Sequence, residues 1–134
     1  MSTSIEPALF LPPSAALMAF VKRQVSSAEP FSEKERRTVP RHLLAMPVIV
    51  QAVESDLSPA GEPRAMVTRD YSDRGMGLVY EQPFHHSRIV VRLSYPEEGT
   101  ILAAEVRWTK PFGPFYQLGC EIIARLKSFP TTLE

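Results

Sequence analysis

The sequence predicts a mainly all-β protein: a six-stranded antiparallel β-barrel with a short N-terminal helix and an irregular N-terminal extension. Apolar stretches of strand length recur at short intervals after residue 41. The connectors between them carry turn residues and are too short for helical crossovers between parallel strands. Thirteen prolines against six glycines also favour short strands and turns over a helical bundle. Because an open sheet of this size would expose its edges, closure into a Greek-key or meander barrel is expected.

The predicted strands follow one another with no convincing helix between them. They cover residues 43–53, 64–70, 76–81, 88–94, 100–110 and 115–124. Several alternate between apolar and charged residues, which is typical of a strand with one buried and one wet face. In the fifth strand this alternation places Val106 and Trp108 on the buried face. Trp108 is therefore expected in the core or at its rim, with stacking on a ligand as the alternative.

Before the barrel, residues 1–33 form a predicted extension. Its first thirteen residues are expected to be irregular, and a helix is expected from Ser14, a suitable N-cap, to about residue 26. Its apolar face carries Leu17, Phe20 and Val21. We expect this face to dock on the barrel itself, and a partner protein or a second copy of the chain, forming a homodimer, are the alternatives. The barrel domain is assigned to residues 34–126 and a short tail to 127–134.

Composition restricts the classes of partner. The chain has 134 residues, enough for one small domain, and its 15 basic residues balance its 15 acidic ones. No overall positive field would attract a long nucleic acid or an anionic membrane. The apolar run at residues 15–21 is too short to span a bilayer. Cys120 is the only cysteine, which fits a reducing, cytoplasmic setting and a role as a small buried hydrophobe.

Two polar clusters stand out from this apolar pattern, at residues 36–41 and 70–75. In the first, Arg37 and Arg41 supply forked guanidinium groups suited to phosphates and to the O6/N7 edge of guanine. In the second, Asp70, Ser72 and Gly75 supply a carboxylate, a hydroxyl and a glycine at fixed offsets. The pair of clusters indicates a local site for a guanine nucleotide.

Spaced as RxxxR and DxSxxG in this order, the clusters resemble the two signature motifs of the PilZ family, over about residues 34 to 125. The resemblance implies a six-stranded barrel and the binding of cyclic diguanylate, a bacterial second messenger. It assigns Arg37 and Arg41 to the first motif, and Asp70, Ser72 and Gly75 to the second. Every motif position matches.

The resemblance also implies a role for each motif residue. The arginines would bind phosphate and stack on purine, Asp70 would accept from guanine N1 and N2, and Ser72 would donate to a phosphate oxygen. Gly75 would turn with a positive φ or lie close to the ligand. Arg36 is associated in the family with binding an intercalated pair of ligand molecules. Arg74 is expected to contact phosphate or to face solvent.

These features predict a non-enzymatic receptor with no cofactor and no metal, in which the arginine segment folds over the ligand. The output would be an altered contact with an unknown protein partner acting in trans. Two alternatives remain open: a PilZ-like interaction adaptor that binds no nucleotide, and a small barrel that binds single-stranded nucleic acid. His85 and His86 are adjacent and lack further ligands at metal spacing, so a surface connector is expected there.

Overall fold

A computed structural model describes residues 12–27, 42–94 and 97–130. These residues form one helix and seven strands. The helix is α1 (Ala15–Ser27), and the strands are β1 (His42–Leu43), β2 (Pro47–Ala52), β3 (Arg64–Tyr71), β4 (Gly75–Tyr80), β5 (Arg88–Leu93), β6 (Thr100–Phe112) and β7 (Phe115–Arg125). No helix in these ranges is long and apolar enough to cross a membrane.

The strands form one closed antiparallel barrel. The order in the sheet is β1-β3-β2-β5-β6-β7-β4, and a further pairing of β3 with β4 joins its ends. The closed ring contains six strands, β2 to β7, because the two-residue β1 only extends the ladder along β3 beside β2. This confirms the predicted six-stranded barrel, in which closure leaves every long strand paired on both sides.

Alternating residues from all six strands fill the barrel interior. The core is made of aliphatic, sulfur-containing and aromatic side chains, namely Met46, Val48, Val50, Ala52, Met66, Tyr71, Met76, Leu78, Tyr80, Phe84, Ile89, Val91, Leu93, Leu102, Ala104, Leu118 and Cys120. Cys120 is buried and free, as expected of a small hydrophobe on the inner face of the last strand.

The first predicted strand, residues 43–53, is interrupted at residues 44–46. Leu43 pairs with Asp70 and Pro47 with Val67, so one extra residue is accommodated on this side of the ladder. The Thr68 hydroxyl fills the irregularity, since it accepts from the Met46 amide at 3.0 Å and donates to the Leu44 carbonyl. This side-chain bridge supplements two backbone hydrogen bonds, from the Leu44 amide to the Arg69 carbonyl and from the Thr68 amide to the Met46 carbonyl. Apolar periodicity does not reveal such a bridge, so it predicted one continuous strand.

Helix α1 docks on the outside of the same barrel. Ser14 caps it, because the Ser14 hydroxyl accepts from the Leu17 amide at 3.1 Å. Leu17 and Val21 are fully buried against Val67 and Val79, which face each other across β3 and β4. The expected docking of the helix on its own domain is therefore observed.

The turn of the β6–β7 hairpin holds the helix from the side. The Phe20 ring lies edge-on to Phe112 and Phe115, with ring centroids 5.4 and 5.3 Å away. Gly113, between these strands, has a φ of +59°, and a Cβ there would lie 2.6 Å from the Phe20 ring. Glycine at this turn thus satisfies both the left-handed backbone and the close aromatic contact.

Candidate functional site

The second polar cluster forms the tight connection between β3 and β4. The Ser72 amide donates to the Gly75 carbonyl at 2.8 Å, which closes the turn. The Ser72 hydroxyl accepts from the amides of Arg74 and Gly75 at 3.3 and 3.2 Å. The serine therefore acts as a turn-forming residue whose side chain satisfies backbone donors.

Gly75 is needed at this turn because of a close approach of backbone to backbone. A Cβ at Gly75 would lie 2.8 Å from the carbonyl oxygen of Cys120 on β7. The φ of Gly75 is not in the left-handed region, which among the described glycines is occupied by Gly61, Gly99 and Gly113. Of the two alternatives predicted for Gly75, the positive φ was wrong, and a position close to the ligand stays a prediction. The missing side chain matters here because of the neighbouring backbone.

Asp70 lies at the end of β3, just before this turn, and is 5% exposed. One carboxylate oxygen, Oδ2, is 3.1 Å from Nη1 of Arg69. On the neighbouring strand, a Cβ at Gly77 would lie 3.1 Å from Oδ1 and 3.3 Å from Oδ2. The absence of a side chain at Gly77 thus makes room for the Asp70 carboxylate.

Asp70 belongs to the wall of a concave pocket of about 390 Å³. This volume lies within the range of small-molecule sites. The lining comes from the ends of β3, β4, β6 and β7, namely Arg69, Asp70, Gly75, Met76, Gly77, Arg107, Trp108, Lys110, Phe112, Gln117, Gly119 and Cys120. Carboxylate, guanidinium, ammonium and aromatic groups therefore meet in one depression.

Trp108 is a wall of this pocket and not part of the core. The register between β6 and β7 shifts between Val106 and Trp108, and the indole is 46% exposed. Opposite it on β7, a Cβ at Gly119 would overlap the indole ring. The predicted core position of Trp108 was wrong because a bulge reverses the alternation on which that prediction rested. The indole instead lies against the Gly119 backbone at the pocket.

Arg107 stands beside Trp108 within a network of charges across strands. Its Nε donates to Oε1 of Glu121 at 2.7 Å, and its Nη1 lies 3.2 Å from Oε1 of Glu105. The hydrogen bond and charge of Glu121, followed by the charge of Glu105, raise the pKa of Arg107 above its ordinary value. Two carboxylates thus hold this guanidinium at the pocket rim.

At the inner end of the pocket, burial raises the pKa of the Cys120 thiol to about 12, with a smaller contribution from the Asp70 charge. A thiol with this pKa stays protonated at neutral pH, and protonated thiols are poor nucleophiles. Cys120 therefore contributes an apolar surface to the pocket and no reactive group.

The structure brings together only some of the predicted site residues. Asp70 and Gly75 line the pocket, and Ser72 shapes the turn behind it. Arg74 is exposed on that turn. Arg36, Arg37 and Arg41 lie outside the described residues.

Four further residues line the pocket: Arg69, Arg107, Trp108 and Lys110. The sequence did not predict Arg69, Arg107 or Lys110 as site residues, and it predicted Trp108 mainly as a core or rim residue. Arg69 directly precedes the motif acid, and the other three lie in the C-terminal half of β6. The signal available for them was a run of basic and aromatic residues at the end of the longest strand. Its meaning depended on the bulge at Arg107, which alternation alone does not reveal.

The two histidines show no sign of a metal site. His85 and His86 are exposed on the connector before β5, and His86 lies near Phe84, with 5.4 Å between the ring centroids. Across residues 12–27, 42–94 and 97–130, no group of three or more potential metal-ligating side chains comes together.

A model of the PilZ domain matches residues 35–128 of the chain. The chain belongs to the PilZ family. The match includes both arginines of the first motif and the whole turn that bears Asp70, Ser72 and Gly75. No curated protein sequence matches the chain significantly.

Solved structures are similar to this PilZ domain at low sequence identity. The Bacillus subtilis inhibitor of motility (MotI/DgrA) is 17% identical with a TM-score of 0.51, covering 72% of this chain and 48% of that one. A structure of MrkH, described as a c-di-GMP-dependent transcription regulatory factor, is 18% identical with a TM-score of 0.47. The K. pneumonia MrkH–c-di-GMP complex is 19% identical with a TM-score of 0.42. Both MrkH matches cover 66% of this chain and 44% of theirs. The chain thus spans less than half the length of these structures.

Proposed function

We propose that this PilZ domain is a receptor for cyclic diguanylate, which binds in the pocket between the β3–β4 turn and the C-terminal half of β6. One observation carries the proposal: the acid of a complete DxSxxG turn lies in the wall of a pocket that also holds an exposed indole and three cationic side chains. Cyclic diguanylate carries two guanines and two phosphates, so it requires an acceptor, a planar surface and cations together.

Asp70 is the proposed guanine acceptor. Its carboxylate lies at the strand end, held by the Arg69 guanidinium at 3.1 Å and bounded by Gly77. A carboxylate fixed in this way can accept two parallel hydrogen bonds from the N1 and N2 groups of guanine. Because Asp70 is largely buried, its hydrogen bonds with a ligand are screened little by solvent.

Trp108 is the proposed stacking surface. The indole lies against the Gly119 backbone, and Trp108 is 46% exposed. Base–aromatic stacking contributes about 1–3 kcal/mol per base in proteins that bind nucleic acid. Stacking on Trp108 was the minor alternative in the sequence analysis, and the pocket geometry now favours it over core packing.

Arg37 and Arg41 are the proposed phosphate and purine ligands of the first motif, with Arg36 as a third guanidinium. We propose that they close over the bound nucleotide, so that binding reorders the segment between α1 and β1. Arg74, exposed on the turn of the second motif, is proposed to add a further phosphate contact. The phosphate role of Ser72 remains a prediction, since its hydroxyl already holds the turn.

The proposed output is a changed contact with a protein partner that acts in trans, without catalysis and without a cofactor. Support comes from membership of the PilZ family and from the complete motifs. A PilZ-like adaptor that binds no nucleotide is the alternative, and it would not require a carboxylate, an indole and cations around one pocket.

Isothermal titration calorimetry with cyclic diguanylate tests the proposal directly. Wild type should bind, and Arg41→Ala or Asp70→Asn should each lose roughly ten-fold or more in affinity, because one bidentate contact contributes about 1–3 kcal/mol. Asp73→Asn is the matched control, since Asp73 lies in the same turn but is exposed and outside the pocket. Absence of binding by wild type at high micromolar ligand would contradict the receptor function and favour the adaptor that binds no nucleotide.

A further inference from the structure

Lys110 differs from the other two cations of the pocket in its partners. Arg69 is paired with Asp70, and Arg107 is held by Glu105 and Glu121. Within the part of the chain that the structure describes, no carboxylate is paired with Lys110. Its ammonium instead lies over the Trp108 ring, with Nζ 5.1 Å from the ring centroid. Among the described residues, Lys110 is thus the pocket cation without a carboxylate partner.

The ammonium lies over a face of the indole ring, the kind of surface on which a base stacks. Gly119 also lies close to the ring, since even one added carbon there would overlap it. A base that stacks on the face under the Lys110 ammonium must take the place of that ammonium. On that face, contact with the ammonium and stacking of a base exclude each other.

We propose that Lys110 is a phosphate-binding residue of this pocket, whose ammonium rests on Trp108 in the unliganded protein and moves to a phosphate oxygen when guanine stacks there. This inference rests on the proposed function and adds a residue to it. Both parts of this rearrangement are expected to be favourable: guanine stacks on the indole, and the ammonium contacts a phosphate. An exposed cation–π contact is weak, whereas base stacking is stronger. The displaced ammonium then gains an anionic partner, the phosphate, whereas no described carboxylate pairs with it in the unliganded protein.

The experiment compares three substitutions under cyclic diguanylate titration at several salt concentrations. Lys110→Gln removes the charge, Lys110→Arg keeps it, and Lys127→Gln removes an equal charge from the exposed C-terminal tail. Trp108 is the only tryptophan of the chain, so its emission reports on the pocket while calorimetry gives the affinity. Emission without ligand also shows whether the ammonium is in contact with the indole.

Lys110→Gln should bind about ten-fold more weakly than wild type and show a shallower dependence of affinity on salt. Its emission without ligand should differ from wild type. Lys110→Arg should keep most of the affinity, and Lys127→Gln should be unchanged in affinity, salt dependence and emission. If wild type binds and Lys110→Gln binds equally well with the same salt dependence, this inference is wrong and the receptor function stands. If wild type does not bind, both are overturned.

Discussion

A Cβ atom on Gly75 would lie 2.8 Å from the carbonyl oxygen of Cys120, so the backbones of β4 and β7 are in close contact at the proposed site. Backbone cannot move away as a flexible side chain can. We expect Gly75→Ala to destabilise the domain by about 1–3 kcal/mol, the usual cost of overpacking. Urea denaturation followed by circular dichroism measures this change.

Gly77→Ala is the matched comparison for that substitution. There the three atoms nearest to the added carbon all belong to the Asp70 carboxylate, at 3.1–3.4 Å. We expect a smaller loss of stability than for Gly75→Ala and a weaker affinity for cyclic diguanylate. An equal or greater loss of stability for Gly77→Ala would contradict this division between a structural and a binding glycine.

Cys120 should make the stability of the domain sensitive to alkaline pH. The native thiol keeps its proton up to about pH 12, whereas an ordinary thiol loses it near 9.0. The native state therefore binds more protons than the unfolded state between these values, and stability falls as pH rises. From one such thiol the loss is about 1.4 kcal/mol at pH 10.

Urea denaturation of wild type and Cys120→Ala at pH 8 and pH 10 tests this expectation. The substitution removes the thiol titration but leaves the other alkaline groups in place. Between pH 8 and pH 10, the unfolding free energy of wild type should therefore fall by more than that of Cys120→Ala. A difference that does not change with pH would show that the thiol is not protected by the fold.

Phe20 should hold helix α1 on the barrel through the β6–β7 turn. Its ring contacts Phe112 and Phe115, and a Cβ at Gly113 would lie 2.6 Å from it. We expect Phe20→Ala to speed hydrogen exchange of the α1 amides about ten-fold or more, with little change in the barrel. Lys22→Ala, an exposed change on the same helix, should leave exchange almost unaffected. Uniform acceleration in helix and barrel would mean that the two unfold together.

Gly119→Ala should displace Trp108, because the new methyl group would occupy the place of the indole. The half-exposed side chain can rotate away, so we expect only a small loss of stability. Affinity for cyclic diguanylate should fall roughly ten-fold, as expected when one stacked base is lost. Trp108 emission should change in the unliganded protein. Unchanged emission together with unchanged affinity would remove the indole from the site.

The fold was largely accessible from sequence because period-two alternation and short turns depend on local residues. All six barrel strands and the helix with its Ser14 cap were anticipated. The break at residues 44–46 was missed because it depends on the Thr68 hydroxyl, which lies more than twenty residues away in sequence. Side-chain bridges of this kind leave no periodic signal.

The site was accessible only where a motif marks it. Asp70 and the turn after it were identified by their spacing, and the structure places Asp70 and Gly75 at the pocket. Trp108 and Lys110 were not, since the bulge at Arg107 decides which way they face. The reason for Gly75 also required the fold, because its close neighbour is the Cys120 carbonyl on a distant strand.

Thermal unfolding with and without cyclic diguanylate, compared with guanosine monophosphate, tests the receptor function most directly. A ligand that binds only the native state at 100 times its Kd adds about 2.7 kcal/mol of stability, which raises the Tm of a domain this size by several degrees. We expect this rise with cyclic diguanylate and not with guanosine monophosphate, and its reduction in Asp70→Asn but not in Asp73→Asn. An unchanged Tm with cyclic diguanylate at high micromolar concentration, or an equal rise with both nucleotides, would contradict the account.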